Sequence, residues 1–122
     1  ELHALTGTTD EASALTKMCA MGCRNVLVTG GHDEGNLRSN RLYKGASLAQ
    51  QWQWERIEGE YRGTGCALAT AVAALLAKGN ALASSCEQAI SYMSNSINQA
   101  YAIGASQLIP QRLPHQVPQQ KL

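Results

Sequence analysis

The chain has 122 residues, of which 44% are hydrophobic, and it contains no phenylalanine. This length predicts one domain or part of one, with a core of Ala, Leu, Val and Ile. The formal net charge is +1 and the charges are interspersed. This charge distribution gives no electrostatic reason to expect binding to nucleic acid or to an acidic membrane surface. The longest apolar run, residues 67–77, is interrupted by Thr70 and is too short to span a bilayer. It predicts a buried helix.

The amino-terminal part of the chain predicts two helices and a strand. Residues 1–5 predict a helical turn closed by Gly7, and residues 9–11 form a cap signal for a helix through about Met21. Residues 25–29 form a short apolar run rich in β-branched side chains, which predicts a strand. A strand approached by a helix is typical of a parallel sheet that is covered on both faces.

The middle of the chain predicts a β-hairpin. Residues 41–43 and 51–57 have the composition of strands, with a turn around Lys44-Gly45 between them. Together with the preceding helices and strand, this order predicts an open α/β sheet. Ligands of such sheets lie beyond the carboxyl ends of the strands, where Thr29 stands here.

Two helices and a tail are predicted for the remainder. Hydrophobic periodicity favours helices over about 66–77 and 82–103. From Pro110 the chain is rich in proline and glutamine, which is typical of an extended or disordered tail. The predicted boundaries are therefore a domain over 1–109 and a tail over 110–122.

The four cysteines are expected to be reduced thiols. Nothing in the sequence resembles a secretory signal peptide, which favours free thiols and a cytoplasmic location. Cys19 and Cys23 are spaced to share a helix face, but no second pair has metal-ligand spacing and the three histidines are scattered. A zinc site is therefore not expected. The other cysteines are Cys66 and Cys86, and the histidines are His3, His32 and His115.

A glycine-rich turn precedes the first of the two later helices. It reads Gly63-Thr64-Gly65-Cys66, and glycines let a backbone turn sharply and approach a ligand closely. A helix that begins there directs unpaired N–H groups and the positive end of its dipole into the turn, which favours an anion. Cys66 would lie in the first turn, where a thiolate is stabilised. The motif indicates phosphoryl or acyl transfer, but such turns are common and free cysteines are frequently buried, so a packing role remains open.

Four segments resemble, in the same order, those of hydroxymethylpyrimidine/phosphomethylpyrimidine kinases, the thiamine-biosynthesis family of the ribokinase-like superfamily. The resemblance implies a three-layer α/β fold with an open sheet, of which this chain would be the carboxyl-terminal part. The segments are ELHALTG at 1–7, VLVTGGH at 26–32, NRLY at 40–43 and GTGCALA at 63–69.

The resemblance also implies an activity and a set of site residues. The activity would be ATP-dependent, Mg²⁺-dependent phosphorylation of hydroxymethylpyrimidine or its monophosphate. Cys66 would be the catalytic residue that accepts the substrate hydroxyl proton, and backbone N–H groups of residues 63–66 would form the anion hole. Glu1 would hold the magnesium–phosphate network, while Thr29, Gly31 and His32 would border the nucleotide. From the residues alone, Glu1 as a solvated helix-start acid and His32 as a loop hydrogen-bonding residue remain open.

The amino-terminal half of such a kinase, which supplies most of the pyrimidine pocket in the family, is not in this sequence. The isolated chain is therefore expected to be weakly active or inactive. The expected partner is a small-molecule substrate, and a homodimer of the full-length enzyme stays open.

Three alternatives remain at this point. The first is a transferase or hydrolase with Cys66 as nucleophile and His32 as its base. The second is another ribokinase-like kinase, for pyridoxal or a sugar. The third is a non-catalytic fragment.

Overall fold

A computed structural model describes residues 1–30, 36–104 and 107–113. The chain divides into two units, Glu1–Arg56 and Ile57–Leu122. Within the described residues, no helix is long and apolar enough to cross a membrane.

The first unit begins with two helices at the predicted positions. Helix α1 spans Leu2–Thr6 and ends at Gly7, whose φ of 66° is the left-handed conformation that favours glycine. Helix α2 spans Glu11–Ala20. The Asp10 carboxylate caps α2 by accepting a 2.8 Å hydrogen bond from the backbone N–H of Ser13. The cap signal in the sequence is confirmed.

Three antiparallel strands complete the first unit in the order β1-β2-β3. Strand β1 spans Asn25–Thr29, as predicted, β2 spans Leu37–Lys44 and β3 spans Ser47–Glu55. The predicted hairpin is confirmed, although both of its strands are longer than predicted. β1 pairs with β2 in the antiparallel direction, and the described strands include no parallel neighbour of β1. The connection from β1 to β2 is too short for a parallel crossover, which needs about a dozen residues or more.

The core of the first unit is small. Among the residues that the structure describes there, the buried apolar side chains are Ala14 and Leu15 of α2 and Leu42 of β2. Polar side chains are buried on β2 as well, including Asn40 and Arg41. β2 is the central strand of the sheet, and its buried polar side chains need hydrogen-bond partners.

The second unit is built on two packed helices, α3 over Thr64–Ala77 and α4 over Leu82–Asn98. Helix α4 buries one face, and no residue of α3 is buried. The prediction that α4 continues to Ile103 is wrong. After Asn98 the chain forms a two-residue strand, β4 at Tyr101–Ala102, which pairs with β5 at Leu108–Ile109.

The chain beyond β5 is tied to α4. Pro110 is fully buried, and the Gln111 N–H donates to the carbonyl of Ser96 at 2.9 Å. The Tyr92 hydroxyl donates to the carbonyl of Arg112 at 2.6 Å. The first residues of the predicted tail are thus held in place. The rest of it, 114–122, lies outside the described residues, where the tail stays a prediction.

Candidate active site

The glycine turn of the second unit forms the beginning of α3. Gly63 is the N-cap, with a φ of 81° and a ψ of 14° in the left-handed region. The first helical hydrogen bond runs from the Ala67 N–H to the Gly63 carbonyl at 3.1 Å. The N–H groups of residues 64–66 therefore precede the helical ladder and point out of the helix end. This end carries the positive pole of the helix dipole.

The side of the turn that would receive a ligand is open. Gly65 is exposed, and a Cβ atom built on it would meet no heavy atom of the described residues within 4 Å. Cys66 is exposed, whereas Cys86 on α4 is buried. The packing role that sequence left open for Cys66 therefore does not apply in this structure.

Arg112 adds a positive charge beside this turn. Its Nη2 atom lies 3.4 Å from the position that a Cβ atom would take on Gly63. The bond from Tyr92 to the Arg112 carbonyl fixes the backbone from which the guanidinium extends. Sequence reasoning missed Arg112 because it lies between prolines in the predicted tail, where no periodicity relates it to α3.

A groove runs along α3 from the glycine turn. Its volume is about 810 Å³, which is within the range of small-molecule sites. Cys66, Ala71 and Ala74 line it from α3, Tyr92 lines it from α4, and Arg112 lines it as well. The groove is therefore mainly apolar and has polar and charged groups near Cys66.

The residues predicted to border the nucleotide belong to the first unit, whereas the glycine turn belongs to the second. Thr29 is exposed and is the last residue of β1. Gly30 follows it with a φ of 67° and donates its N–H to the Ser39 carbonyl at 3.0 Å. Gly31 and His32 lie outside the described residues.

Glu1, the predicted metal residue, is exposed and is the N-cap of α1, where its side chain makes no capping hydrogen bond. Over residues 1–30, 36–104 and 107–113, no cluster of three His, Cys, Asp or Glu side chains could hold a metal ion.

An ion pair that sequence reasoning also missed joins α2 to β2. The Arg41 guanidinium contacts both carboxylate oxygens of Glu11, at 3.1 and 3.0 Å, and the Tyr43 hydroxyl donates to Glu11 Oε1 at 2.6 Å. Burial acts to lower the pKa of Arg41, but the interactions with Glu11 outweigh it and the pKa is raised. Burial, together with the hydrogen bond to Glu11, raises the pKa of Tyr43.

Comparison with known proteins identifies the family. A sequence model of the phosphomethylpyrimidine kinase family matches residues 1–111. The chain belongs to this family. It is 32% identical over 109 residues to the thiamine biosynthesis bifunctional protein ThiED of Geobacter sulfurreducens. It is 29% identical over 111 residues to the hydroxymethylpyrimidine/phosphomethylpyrimidine kinase of Bacillus subtilis.

Solved structures show the same fold. The chain matches the ADP complex of Bacillus subtilis pyridoxal kinase with a TM-score of 0.80 and 24% identity, over 94% of this chain and 46% of that one. It matches Staphylococcus aureus pyridoxal kinase in complex with AMP-PCP and pyridoxal with a TM-score of 0.78 and 19% identity, over 91% and 44%. The fold of this chain is therefore ribokinase-like and α/β.

Both of these relatives are much longer than this chain. The alignments cover 85% of the chain but 22% of ThiED, and 86% of the chain but 41% of the Bacillus subtilis kinase. The chain thus spans less than half the length of either relative.

Proposed function

We propose that this chain supplies the anion hole and the nucleotide side of a kinase that phosphorylates hydroxymethylpyrimidine or its monophosphate with ATP. The observation that carries the proposal is the open glycine turn at the start of α3, with exposed Cys66 beside it. Backbone N–H groups at a helix start, next to a free side chain, are the arrangement that phosphoryl transfer needs. Family membership supports a pyrimidine alcohol as the acceptor.

In the proposed reaction, the substrate hydroxyl oxygen attacks the γ-phosphorus of ATP. A new P–O bond forms, the bond between the γ-phosphorus and the β,γ-bridging oxygen breaks, and ADP leaves. The Cys66 thiolate accepts the proton of the attacking hydroxyl. The N–H groups of residues 63–66 stabilise the negative charge on the transferring phosphoryl oxygens.

Two further groups support binding of the triphosphate. Arg112 lies beside Gly63 and would donate to a phosphate oxygen, as guanidinium groups commonly do. On the first unit, Thr29 ends β1, and Gly31 and His32 follow in sequence. These three residues would border the nucleotide, in line with the usual ligand position at the carboxyl end of a strand.

Glu1 fits the role of a magnesium residue in the proposal. Mg²⁺ keeps several waters and takes one or two carboxylates together with substrate phosphates, so an exposed single carboxylate suits it better than it suits zinc. When bound, the ion would neutralise phosphate charge. Glu1 would orient the ion through its carboxylate.

Most of the pyrimidine pocket would come from the part of the fold that the relatives have beyond this match. Turnover by this chain alone is therefore expected to be weak or absent, although nucleotide binding is retained. The proposed setting is the cytoplasm, with a small-molecule substrate and with homodimerisation as a property to test on a full-length enzyme.

A second candidate is phosphorylation of pyridoxal. It is favoured by one observation, the fold match to pyridoxal kinases, one of which was solved with AMP-PCP and pyridoxal. Phosphoryl transfer to pyridoxal would use the same turn, and the acceptor distinguishes the candidates. In a full-length kinase that carries this segment, faster turnover of pyridoxal than of hydroxymethylpyrimidine would favour the second candidate.

The test of the anion hole is calorimetry of Mg²⁺–ATP binding by this chain and two variants. Cys66→Ala should bind nearly as the parent does, because the thiol acts on the substrate hydroxyl. Gly65→Val should bind poorly, because its side chain would occupy the open space where phosphate must enter. Ala69→Val is the matched control, since it introduces the same side chain at an exposed position one turn along α3.

Folding is monitored by circular dichroism and a thermal melt. A folded parent that binds no nucleotide would contradict the proposal and favour the non-catalytic alternative. Equal loss of affinity in Gly65→Val and Ala69→Val would show that valine disturbs α3 in general, and would contradict a specific block of the anion hole at Gly65. Acylation of Cys66 by an ester substrate would favour the cysteine-nucleophile alternative.

A further inference from the structure

Arg41, which pairs with Glu11, is a charged residue at a buried position of the first unit, where apolar residues are more common. Arg41 lies on the central strand of the first unit and is 7% exposed. Both of its contacts to the Glu11 carboxylate are near 3 Å, so the pair is bidentate. Replacing such a buried pair by neutral groups is often neutral for stability or even stabilising. Stability alone therefore does not account for a charge at this position.

The same guanidinium also holds the end of β1. Its Nη2 atom donates to the Gly30 carbonyl at 2.8 Å, and its Nη1 atom donates to Ser39 Oγ. The Gly30 N–H donates to the Ser39 carbonyl at 3.0 Å. Both backbone polar groups of Gly30 are thus bound by β2 residues, one through a side chain and one through the ladder.

Glu11 holds the Arg41 guanidinium in the position from which it contacts the Gly30 carbonyl. It is the first residue of α2, directly after the Asp10 cap. The Tyr43 hydroxyl donates to the same carboxylate at 2.6 Å. The carboxylate is thereby held from two β2 side chains, and Arg41 connects the start of a helix to the carbonyl of Gly30.

We propose that Arg41 is a positioning residue that fixes the Gly30 carbonyl, and with it the end of β1, for nucleotide binding. The nucleotide part of this inference rests on the proposed function, because Gly30 lies between Thr29 and Gly31. An apolar residue at position 41 could fill the sheet but could not donate to a carbonyl. Only a long, forked donor bridges Glu11 and Gly30 at once.

The test uses the double variant Arg41→Met/Glu11→Gln, because Arg41→Met alone would leave the partly buried Glu11 carboxylate without the positive charge that faces it. The double variant removes both charges, keeps similar side-chain volumes and should unfold near the temperature of the parent. Mg²⁺–ATP should bind up to about tenfold more weakly, because binding would then have to order the end of β1 without the charged donor that holds the Gly30 carbonyl. Arg56→Met, which removes an exposed arginine after β3, controls for the loss of one positive charge.

Amide hydrogen exchange supplies a readout that does not depend on ATP. In the double variant, exchange of the Gly30 N–H should be about tenfold faster, since its carbonyl is no longer held. The reference is the Gly45 N–H, which donates to the Arg24 carbonyl at 2.7 Å at the other end of the β1–β2 ladder. Its exchange should not change. Equal acceleration at both glycines, or acceleration at neither, would overturn the inference.

The two proposals fail in different ways. A parent that binds no ATP contradicts the proposed function, while exchange at Gly30 still decides whether Arg41 positions the turn. A parent that binds ATP, together with a double variant of equal affinity, contradicts the role of Arg41 and leaves the anion hole standing.

Discussion

The guanidinium of Arg112 lies against the glycine that begins α3, with its Nη2 atom 3.4 Å from the position of a Cβ atom on Gly63. The two residues are distant in sequence, and the contact depends on the chain after β5 returning to α4. Glycine at position 63 serves both the left-handed backbone and the approach of this charge. Gly65, two residues later, has open space around it. The two glycines should therefore respond differently to the same substitution.

Gly63→Ala should destabilise the chain, and Gly65→Ala should not. At Gly63 the φ of 81° costs an alanine about 1–2 kcal/mol. Gly65 is the second residue of α3 and has no positive φ, so alanine should be tolerated there without loss of stability. Urea unfolding of both variants and the parent measures the difference. Equal stability of the two variants would contradict the left-handed backbone at Gly63.

Arg112→Met should weaken ATP binding without unfolding the chain. The side chain is exposed, so its loss removes little packing, but the phosphate loses a charge-assisted hydrogen bond. We expect an affinity about tenfold lower by calorimetry. Lys78→Met is the control, because it removes one positive charge from the same groove at the other end of α3. An equal effect of both variants would indicate a general charge effect instead of a contact at Gly63.

Local signals in the sequence were sufficient for the beginning of most elements. The Asp10 cap depends on residues within one helical turn, and the glycine turn before α3 depends on backbone freedom at two positions. β1 was predicted with its observed bounds because its β-branched run is flanked by polar and glycine residues. In each case the determining interactions lie close together along the chain.

The interactions that were missed are long-range. Arg41 contacts Glu11 from a different element, and hydrophobic periodicity assigns no partner to a charged residue within a strand. The predicted end of α4 is wrong because Tyr101 pairs with Ile109 in β5, whereas the helical periodicity of the sequence predicts a helix to Ile103. Arg112 was missed for the same reason, since its position depends on Tyr92.

The exposure of the cysteines predicts an order of thiol labelling. Cys66 is exposed and Cys86 is buried, where burial also raises the pKa of the Cys86 thiol. With a maleimide near neutral pH, Cys66 should react first in the native chain, and Cys86 should react only after unfolding. Peptide mass spectrometry at timed intervals measures this order. Cys66→Ala should remove the fastest phase, and early labelling of Cys86 would contradict its burial in α4.

Tyr43 predicts a specific stability change at alkaline pH. Burial, with the hydrogen bond to Glu11, raises its pKa above the ordinary value of 10.0, so the folded state favours the neutral phenol. Its contribution to stability is therefore complete below about pH 10 and is lost as the pH rises through 10 toward the folded-state pKa. Tyr43→Phe removes this contribution at every pH and should cost about 1 kcal/mol at neutral pH.

Thermal melts of the parent and Tyr43→Phe from about pH 8 to about pH 11 measure this dependence. The parent should melt higher at pH 8, and the gap should narrow above pH 10, because the parent then unfolds to release a proton that its folded state retains. Tyr101→Phe, at an exposed tyrosine of β4, controls for the loss of a phenol. A gap that stays constant across the range would show that the bond from Tyr43 to Glu11 does not favour the neutral phenol. In that case the ion pair with Arg41 would hold the Glu11 carboxylate without a contribution from the Tyr43 hydroxyl.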